Sequence, residues 1–333
     1  MSKSKIAAYR ASFFVFSLLL CLIILSCEPE HPPFDEYQIV GFTPIDSVAV
    51  GKIFSYGNTL YSLYNTNYSY LWANLRTYDL SIPHIPILVA AGEIDNLDPN
   101  SYITHADTFL FFWRYSSAYP QHLCIFNLNR LQPVNIETDF IIYSLTCKGN
   151  HVFISSDEGL KIWDISSLPH YTEVFGDTFG RWHGRLTIRD TIMFETYSNT
   201  FAFWNVKNPA QPQLIAQGDF FLYPSFVEMT QGFVFVFSSG LLYRFQYDFS
   251  DSLILDDIYV VDYYFRDYAV SDTIVYFLGY EEIAVIKADD FSAEQTIQNY
   301  RSDITFLSLE LREDMIYVLT RNKGIIIYER REP

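Results

Sequence analysis

An all-β protein built from repeats is the fold class this sequence predicts, and three observations predict it. The first is a fixed interval. Trp163, Trp204, Phe245, Ile286 and Ile327 lie 41 residues apart, and Ile192, Phe233, Ile274 and Met315 keep the same period. The second is composition: 18% of residues are aromatic, with 26 Tyr and 29 Phe, and such side chains suit a pleated, half-buried surface. The third is that no long stretch beyond the N-terminal segment sustains the i, i+3, i+4, i+7 pattern of an amphipathic helix. A period of about 40 to 45 residues made of short strands marks a β-propeller, one four-stranded blade per repeat. All-β folds commonly exceed about 200 residues as one unit, so a single domain is expected over residues 37–333.

The chain opens on an address signal, expected to be removed. Lys3, Lys5 and Arg10 precede an apolar run from Ala11 to Leu25 broken only by Ser12 and Ser17. A basic start and an apolar core of about 15 residues fit a secretory signal and are short for a membrane-spanning helix. The run ends in Ile24-Leu25-Ser26-Cys27, which resembles a bacterial lipobox. That resemblance implies a signal peptide over 1–26 and lipidation of Cys27, although Leu25 departs from the usual small or β-branched residue. Glu28-Pro29-Glu30-His31-Pro32-Pro33 follows, too polar and proline-rich to bury a core. Residues 27–36 therefore read as a lipidated cysteine and a flexible tether. The address implied is the bacterial outer membrane, facing the periplasm or exposed at the cell surface.

Formal charge is -17, and removal of the basic leader makes the mature chain more negative still. Such a chain repels phosphate backbones and anionic bilayers. Nucleic acid is excluded as a partner, and membrane attachment is expected through the N-terminal lipid only. Besides the lipidated Cys27, two cysteines remain after processing, Cys124 and Cys147; export permits a disulfide, but spacing alone does not place their Cα atoms within reach.

The repeats share one layout. In the third, Phe140 to Leu145 is a first strand, Lys148-Gly149-Asn150 a turn, and His151 to Ser155 a second strand. Asp157-Glu158-Gly159 then turns the chain into Leu160 to Ile165, and the fourth strand is Tyr171 to Phe175. Strands of this length separated by Gly, Asn and Asp form antiparallel hairpins. Asn58, Asp107, Asp190 and Asp272 each precede a second strand, where Asn and Asp tolerate tight turns. Third-strand anchors number seven: Tyr78, Phe126, Trp163, Trp204, Phe245, Ile286 and Ile327, all expected in the core between blades. The last repeat supplies only three strands, and Tyr37 to Phe42 is left over at the start. Pairing that strand with the last blade closes the ring and removes an exposed edge. A seven-bladed β-propeller of four-stranded antiparallel blades follows, with six or eight blades the alternatives.

Three linkers carry a family resemblance. They read Tyr78-Asp79-Leu80-Ser81-Ile82-Pro83-His84-Ile85-Pro86-Ile87-Leu88-Val89, Gly159-Leu160-Lys161-Ile162-Trp163-Asp164-Ile165-Ser166-Ser167-Leu168-Pro169, and Trp204-Asn205-Val206-Lys207-Asn208-Pro209-Ala210-Gln211-Pro212-Gln213-Leu214-Ile215. Each resembles the LVIVD repeat of bacterial β-propellers: aliphatic strand, Asp, Ser or Thr, prolines, then a Leu-Val pair. The match is partial at Phe126-Asn127-Leu128 to Pro133 and fades beyond about residue 240. The resemblance implies a secreted or cell-surface propeller and transfers no catalytic residue. Ile162-Trp163-Asp164 also echoes the Trp-Asp of WD40 repeats, in one repeat and without the preceding Gly-His.

No motif for chemistry stands out. His31, His84, His105, His122, His151, His170 and His183 are scattered without metal-ligand spacing, Gly-x-Ser-x-Gly is absent, and no phosphate-cradling Gly-rich loop occurs. Asp95 to Asn100 lacks the spacing of a calcium loop. No cofactor, metal or catalytic residue is expected. One cationic cluster, Arg181-Trp182-His183-Gly184-Arg185, lies where the fourth blade's first strand begins, and Arg181, His183 and Arg185 share one face of an extended chain. Corresponding positions in other repeats bring Tyr223, Tyr264, Arg266 and Arg301. A ring of Arg and Tyr around the channel suits an anionic or carbohydrate-like ligand, through bidentate hydrogen bonds and stacking. The competing expectation is that these groups pair with nearby carboxylates. The function expected is a monomeric, lipid-anchored, non-catalytic platform for envelope proteins or glycans. The alternative is an extracellular hydrolase or lyase acting on sugars or lactones at the channel mouth.

Overall fold

The computed structural model describes residues 37–45, 48–66, 72–95, 102–106, 109–113, 121–128, 132–178, 184–197, 199–220, 222–248, 253–261, 265–271, 273–288, 294–298 and 304–330. The segments assigned to the signal peptide, Cys27 and the tether lie outside them. Ile39–Glu329 forms one compact unit; of a second, Met1–Gln38 with Arg330–Pro333, only the ends of two strands are described.

Every described regular element is a strand. β1 (Tyr37–Thr43) precedes blade 1, made of β2 (Val50–Tyr56), β3 (Thr59–Asn65), β4 (Trp72–Asp79) and β5 (Ile87–Asp95). Blade 2 holds β6 (Tyr102–Ala106), β7 (Phe109–Trp113), β8 (Gln121–Asn127) and β9 (Gln132–Thr138). In blade 3 come β10 (Ile142–Lys148), β11 (His151–Ser156), β12 (Leu160–Asp164) and β13 (Thr172–Gly176). Blade 4 comprises β14 (Arg185–Arg189), β15 (Ile192–Tyr197), β16 (Thr200–Asn205) and β17 (Gln213–Asp219). β18 (Phe226–Met229), β19 (Phe233–Ser238), β20 (Leu241–Gln246) and β21 (Ile254–Val260) make blade 5. Blade 6 is β22 (Asp267–Val270), β23 (Ile274–Leu278), β24 (Glu282–Lys287) and β25 (Glu294–Gln298). Blade 7 takes β26 (Phe306–Arg312), β27 (Met315–Thr320) and β28 (Gly324–Arg330), with β1 as its outer strand. The chain is a seven-bladed β-propeller of four-stranded antiparallel sheets.

Turn chemistry follows the sequence. Gly57, Gly149, Asp190 and Glu313 each begin a turn between first and second strands, with φ of 55°, 54°, 52° and 53°. Gly and Asp tolerate this left-handed conformation; Glu313 is held there by the tight hairpin between β26 and β27.

The core is a set of inter-blade layers. Six hydrophobic clusters among the described residues each join two consecutive blades, from blades 7 and 1 round to blades 5 and 6. Strands with both faces buried lose the alternation of apolar and polar residues. In β7, Leu110 and Phe112 pack toward blade 1 while Phe109, Phe111 and Trp113 pack toward blade 3. This explains the unbroken Phe109-Leu110-Phe111-Phe112-Trp113 run, buried throughout.

Two expectations about the anchors need correction. Trp204 and Phe245 are only partly buried, packed on the margins of their clusters. Pairing also sets Ile286 opposite Val275 but Tyr328 opposite Ile316, so the seventh anchor is Tyr328. The connection from Leu319 to Ile325 is one residue longer than that from Leu278 to Ile283, and one residue reverses the face of a strand. Ile327 accordingly packs toward blade 1, in the cluster that closes the ring.

The Leu-Val pairs of the linkers also acquire a structural meaning. The third-to-fourth strand ladder slips beside the anchor in four blades: Thr77/Tyr78, Ile162/Trp163, Phe203/Trp204 and Arg244/Phe245. The unpaired residues are Val89, Val174, Ile215 and Asp256, of which Val89 and Ile215 are the second residues of the Leu88-Val89 and Leu214-Ile215 pairs. A bulge bends the outer strand and interrupts the edge ladder, which discourages pairing with another chain.

Candidate functional site

Seven inner strands wall a central cavity of about 1120 Å³. Alternate residues of a strand share a face, so the register stacks polar side chains in two tiers. One tier holds Lys52, Ser144, Arg185, Asp267 and Ser308; two residues further along, Thr104, Thr146, Thr187, Glu228 and Glu310 form the next.

Much of this polar lining ties one blade to another. Ser144 Oγ accepts the Leu186 N–H at 3.1 Å, Asp267 Oδ2 the Leu309 N–H at 3.1 Å, and Ser308 Oγ the Ile53 N–H at 3.1 Å. The geometry is the same three times: one tier position accepts from the next blade's inner strand. Inner strands are sheet edges with unpaired N–H groups, so these contacts satisfy donors that burial would otherwise penalise. Asp267 also accepts from Ser308 Oγ at 2.5 Å and pairs with Lys52 Nζ at 2.9 Å, two blades away. Glu310 Oε1 accepts both the N–H and the Oγ–H of Ser55, at 3.0 and 2.6 Å, across the junction of blades 7 and 1. Glu228 Oε1 accepts from Thr187 Oγ1 at 2.9 Å and from the Met229 N–H at 3.3 Å.

Burial pushes the Glu310 carboxyl up to about 7, against the hydrogen bonds from Ser55 and with a further push from the Asp267 charge. Burial likewise raises Glu228, opposed by its bonds to Thr187 and Met229. The Tyr268 phenol is raised by burial first, then by the charges of Glu228 and Asp267. Among the described residues no group of three or more His, Cys, Asp or Glu side chains is placed to hold a metal ion. Cys124 and Cys147 are not joined in a disulfide.

The residues singled out in the sequence fare differently. Arg185 lines the cavity, where its Nε donates to Ser225 O at 3.1 Å and its NH1 to Tyr143 O at 2.7 Å and Gly184 O at 3.3 Å. It thereby ties three consecutive blades through main-chain oxygens, acceptors that charge pairing in the sequence did not suggest. Gly184 beside it permits this approach, since an added Cβ would strike Ser155 Oγ. Tyr223 is 65% exposed, its carbonyl accepting from Ser238 Oγ at 2.9 Å, and it is not part of the cavity lining. Arg181, His183, Tyr264 and Arg301 lie outside the described residues.

Arg266 lines the cavity at the start of β22 and meets groups that sequence reasoning missed. Its guanidinium lies 3.8 Å over the Tyr280 ring, and its NH1 reaches Phe306 O at a long 3.4 Å. Tyr280 sits between β23 and β24 and Arg321 between β27 and β28, at corresponding turns of blades 6 and 7. Arg321 also lines the cavity, and its Nε is buried without a hydrogen-bond partner among the described residues. The Tyr280 hydroxyl is held below its ordinary value, by Arg266 first and by Arg321 as well. The only signal for this grouping is repeat equivalence: Tyr280 and Arg321, 41 residues apart, occupy corresponding second-to-third strand turns of adjacent blades.

No protein-family model matches the chain, and no curated protein matches it. Solved structures do. The β-propeller domain of Myceliophteria thermophila Cps50 (Swd1) superposes with a TM-score of 0.62 at 9% identity, covering 89% of this chain and 100% of that one. The computationally designed Ika8 protein gives 0.58 at 10% identity, with 88% and 99% covered. The WD40 β-propeller domain of Doa1 gives 0.56 at 12% identity, with 90% and 98% covered. At these identities the likeness is one of fold, and function has to be argued from the site. What the chain shares with these proteins is the β-propeller.

Proposed function

We propose that this chain is a non-catalytic binding propeller of LVIVD type, held at the bacterial outer membrane by a lipid on Cys27, and that it presents a rigid surface to envelope proteins or glycans. One observation carries the binding role: Asp267, Ser308, Glu310, Ser144 and Arg185 bind the main chain or side chains of adjacent blades, which makes the channel wall a scaffold. A wall braced this way holds surface groups in fixed positions, and preorganisation favours binding. The lipobox-like Ile24-Leu25-Ser26-Cys27 supports the anchor.

The test has two parts. Cells fed an alkyne-tagged fatty acid should label the wild-type protein and not Cys27→Ala. After mild cross-linking, the purified protein should retain a specific envelope protein or glycan. A propeller that emerges bare from its own envelope would refute the platform. The hydrolase or lyase alternative draws on Glu310, a carboxyl near neutrality beside Asp267. Turnover on a panel of sugars and lactones, lost in Glu310→Gln, would replace the binding reading.

A further inference from the structure

We propose, building on the platform reading, that the channel mouth at blades 6 and 7 binds a carboxylate-bearing sugar through Arg266 and Arg321 beside Tyr280. The chain has 39 acidic residues against 22 basic ones, so a guanidinium has carboxylates in excess to choose from. Arg244 shows the usual outcome: Nε bonds Asp256 Oδ2 at 2.5 Å and NH1 bonds Ala288 O at 2.6 Å. Arg321 departs from it. Among the described residues its guanidinium makes no hydrogen bond or ion pair, and its Nε is buried. A buried donor without an acceptor is costly, and a ligand oxygen supplies what is missing.

Arg266 is nearly as available. Its guanidinium reaches Phe306 O through a long bond and also bonds the Tyr280 hydroxyl, and its position over the Tyr280 ring fixes its plane. A planar guanidinium matches the two oxygens of a carboxylate through parallel N–H donors. Both arginines line the one cavity, and both turns bond the same short stretch: Tyr280 O accepts the Phe306 N–H at 2.9 Å, Arg266 NH1 reaches Phe306 O, and Arg321 N–H donates to the adjacent Thr305 O. The main chain beneath them is fixed: Arg321 N–H donates to Thr305 O at 2.9 Å and Arg266 N–H to Leu278 O at 2.7 Å. Tyr280 is 54% exposed and offers ring surface beside the cations, where the C–H face of a sugar packs well. Cations select the carboxylate; the aromatic surface selects the sugar that carries it.

Calorimetric titration of the full chain with galacturonate, galactose and acetate tests the site. Galacturonate should bind, galactose should not, and acetate should bind more weakly than galacturonate. Arg321→Gln and Arg266→Gln should each weaken galacturonate by about tenfold or more, the weight of a charge-assisted bidentate contact. The exposed Lys207→Gln should change nothing. If a Gln variant melts early, Arg321→Lys keeps the charge, loses the fork and should still weaken binding. Equal affinity for galactose and galacturonate, unchanged affinity in Arg321→Gln, or no heat at about 10 mM ligand would overturn the site. Acetate binding as tightly as galacturonate would overturn the sugar. The double variant Arg266→Gln/Arg321→Gln separates this idea from the platform reading, because cross-linked envelope partners retained by that variant keep the platform while the site falls.

Discussion

Glu310 turns the ring junction into a measurable pH dependence. Its carboxyl receives Ser55 from blade 1, and Asp267, itself paired with Lys52, lies close enough to raise it further. The native group titrates at about 7, against an ordinary value of 4.5. Between those two pH values the folded protein holds a proton that the unfolded chain has released, so this group's contribution is complete below about 4.5 and is lost as pH rises to about 7. A shift of about 2.5 units corresponds to about 3 kcal/mol, an upper figure because the side chain is partly open to the channel. Glu310→Gln keeps an oxygen for Ser55 and removes the charge. Urea midpoints at pH 4.5 and pH 8 should show variant and wild type close together in acid, and the variant ahead by up to about 3 kcal/mol in base. Taking the difference between the two proteins cancels the titration of the other acidic groups. A gap of the same size at both pH values would refute the reasoning, as would a wild type that gains on the variant at high pH.

Other expectations are simpler to state. Trp163 is 2% exposed in the cluster joining blades 2 and 3, so Trp163→Ala should cost about 3 to 5 kcal/mol, read as a lower denaturant midpoint. Gly324 has φ 100°, and a Cβ there would strike Thr43 O and Ile45 N. Gly324→Ala should therefore lower the thermal midpoint by an amount equivalent to about 1 to 3 kcal/mol. Arg244→Ala should cost about 3 to 5 kcal/mol by equilibrium unfolding, since it strands Asp256 and frees the Ala288 carbonyl that links blade 5 to blade 6. Cys124 is buried, with its thiol pushed up to about 12; it should resist a thiol reagent in the native protein and react after denaturation, and intact mass should show no disulfide to Cys147.

The repeat was legible because packing against two neighbours demands the same residue kind at the same point of every blade. Tyr78, Phe126, Trp163, Trp204, Phe245 and Ile286 all fall on third strands for that reason, and Ile192, Phe233, Ile274 and Met315 all open second strands. Ile327 shows the limit. A one-residue change in a turn leaves a 41-residue period intact while reversing the face, and hydrophobicity on both faces hides the slip. The channel was less legible. Its bonds join blades about 41 residues apart, and spacing says which side chains meet without saying whether they bond a neighbour's backbone, as Arg185 does, or stand open, as Arg321 does. Tyr280 and Arg321 belong to turns, where no hydrophobic period points to them.

β1 completes the last blade, and that has a consequence for how the protein is made. β1 finds its partner, β28, about 290 residues later, so the ring cannot shut until β28 has been synthesised. Each blade also needs both neighbours to cover its faces, which leaves early blades poorly stabilised on their own. A chain with those properties becomes resistant to proteases in one late step, when β1 meets β28.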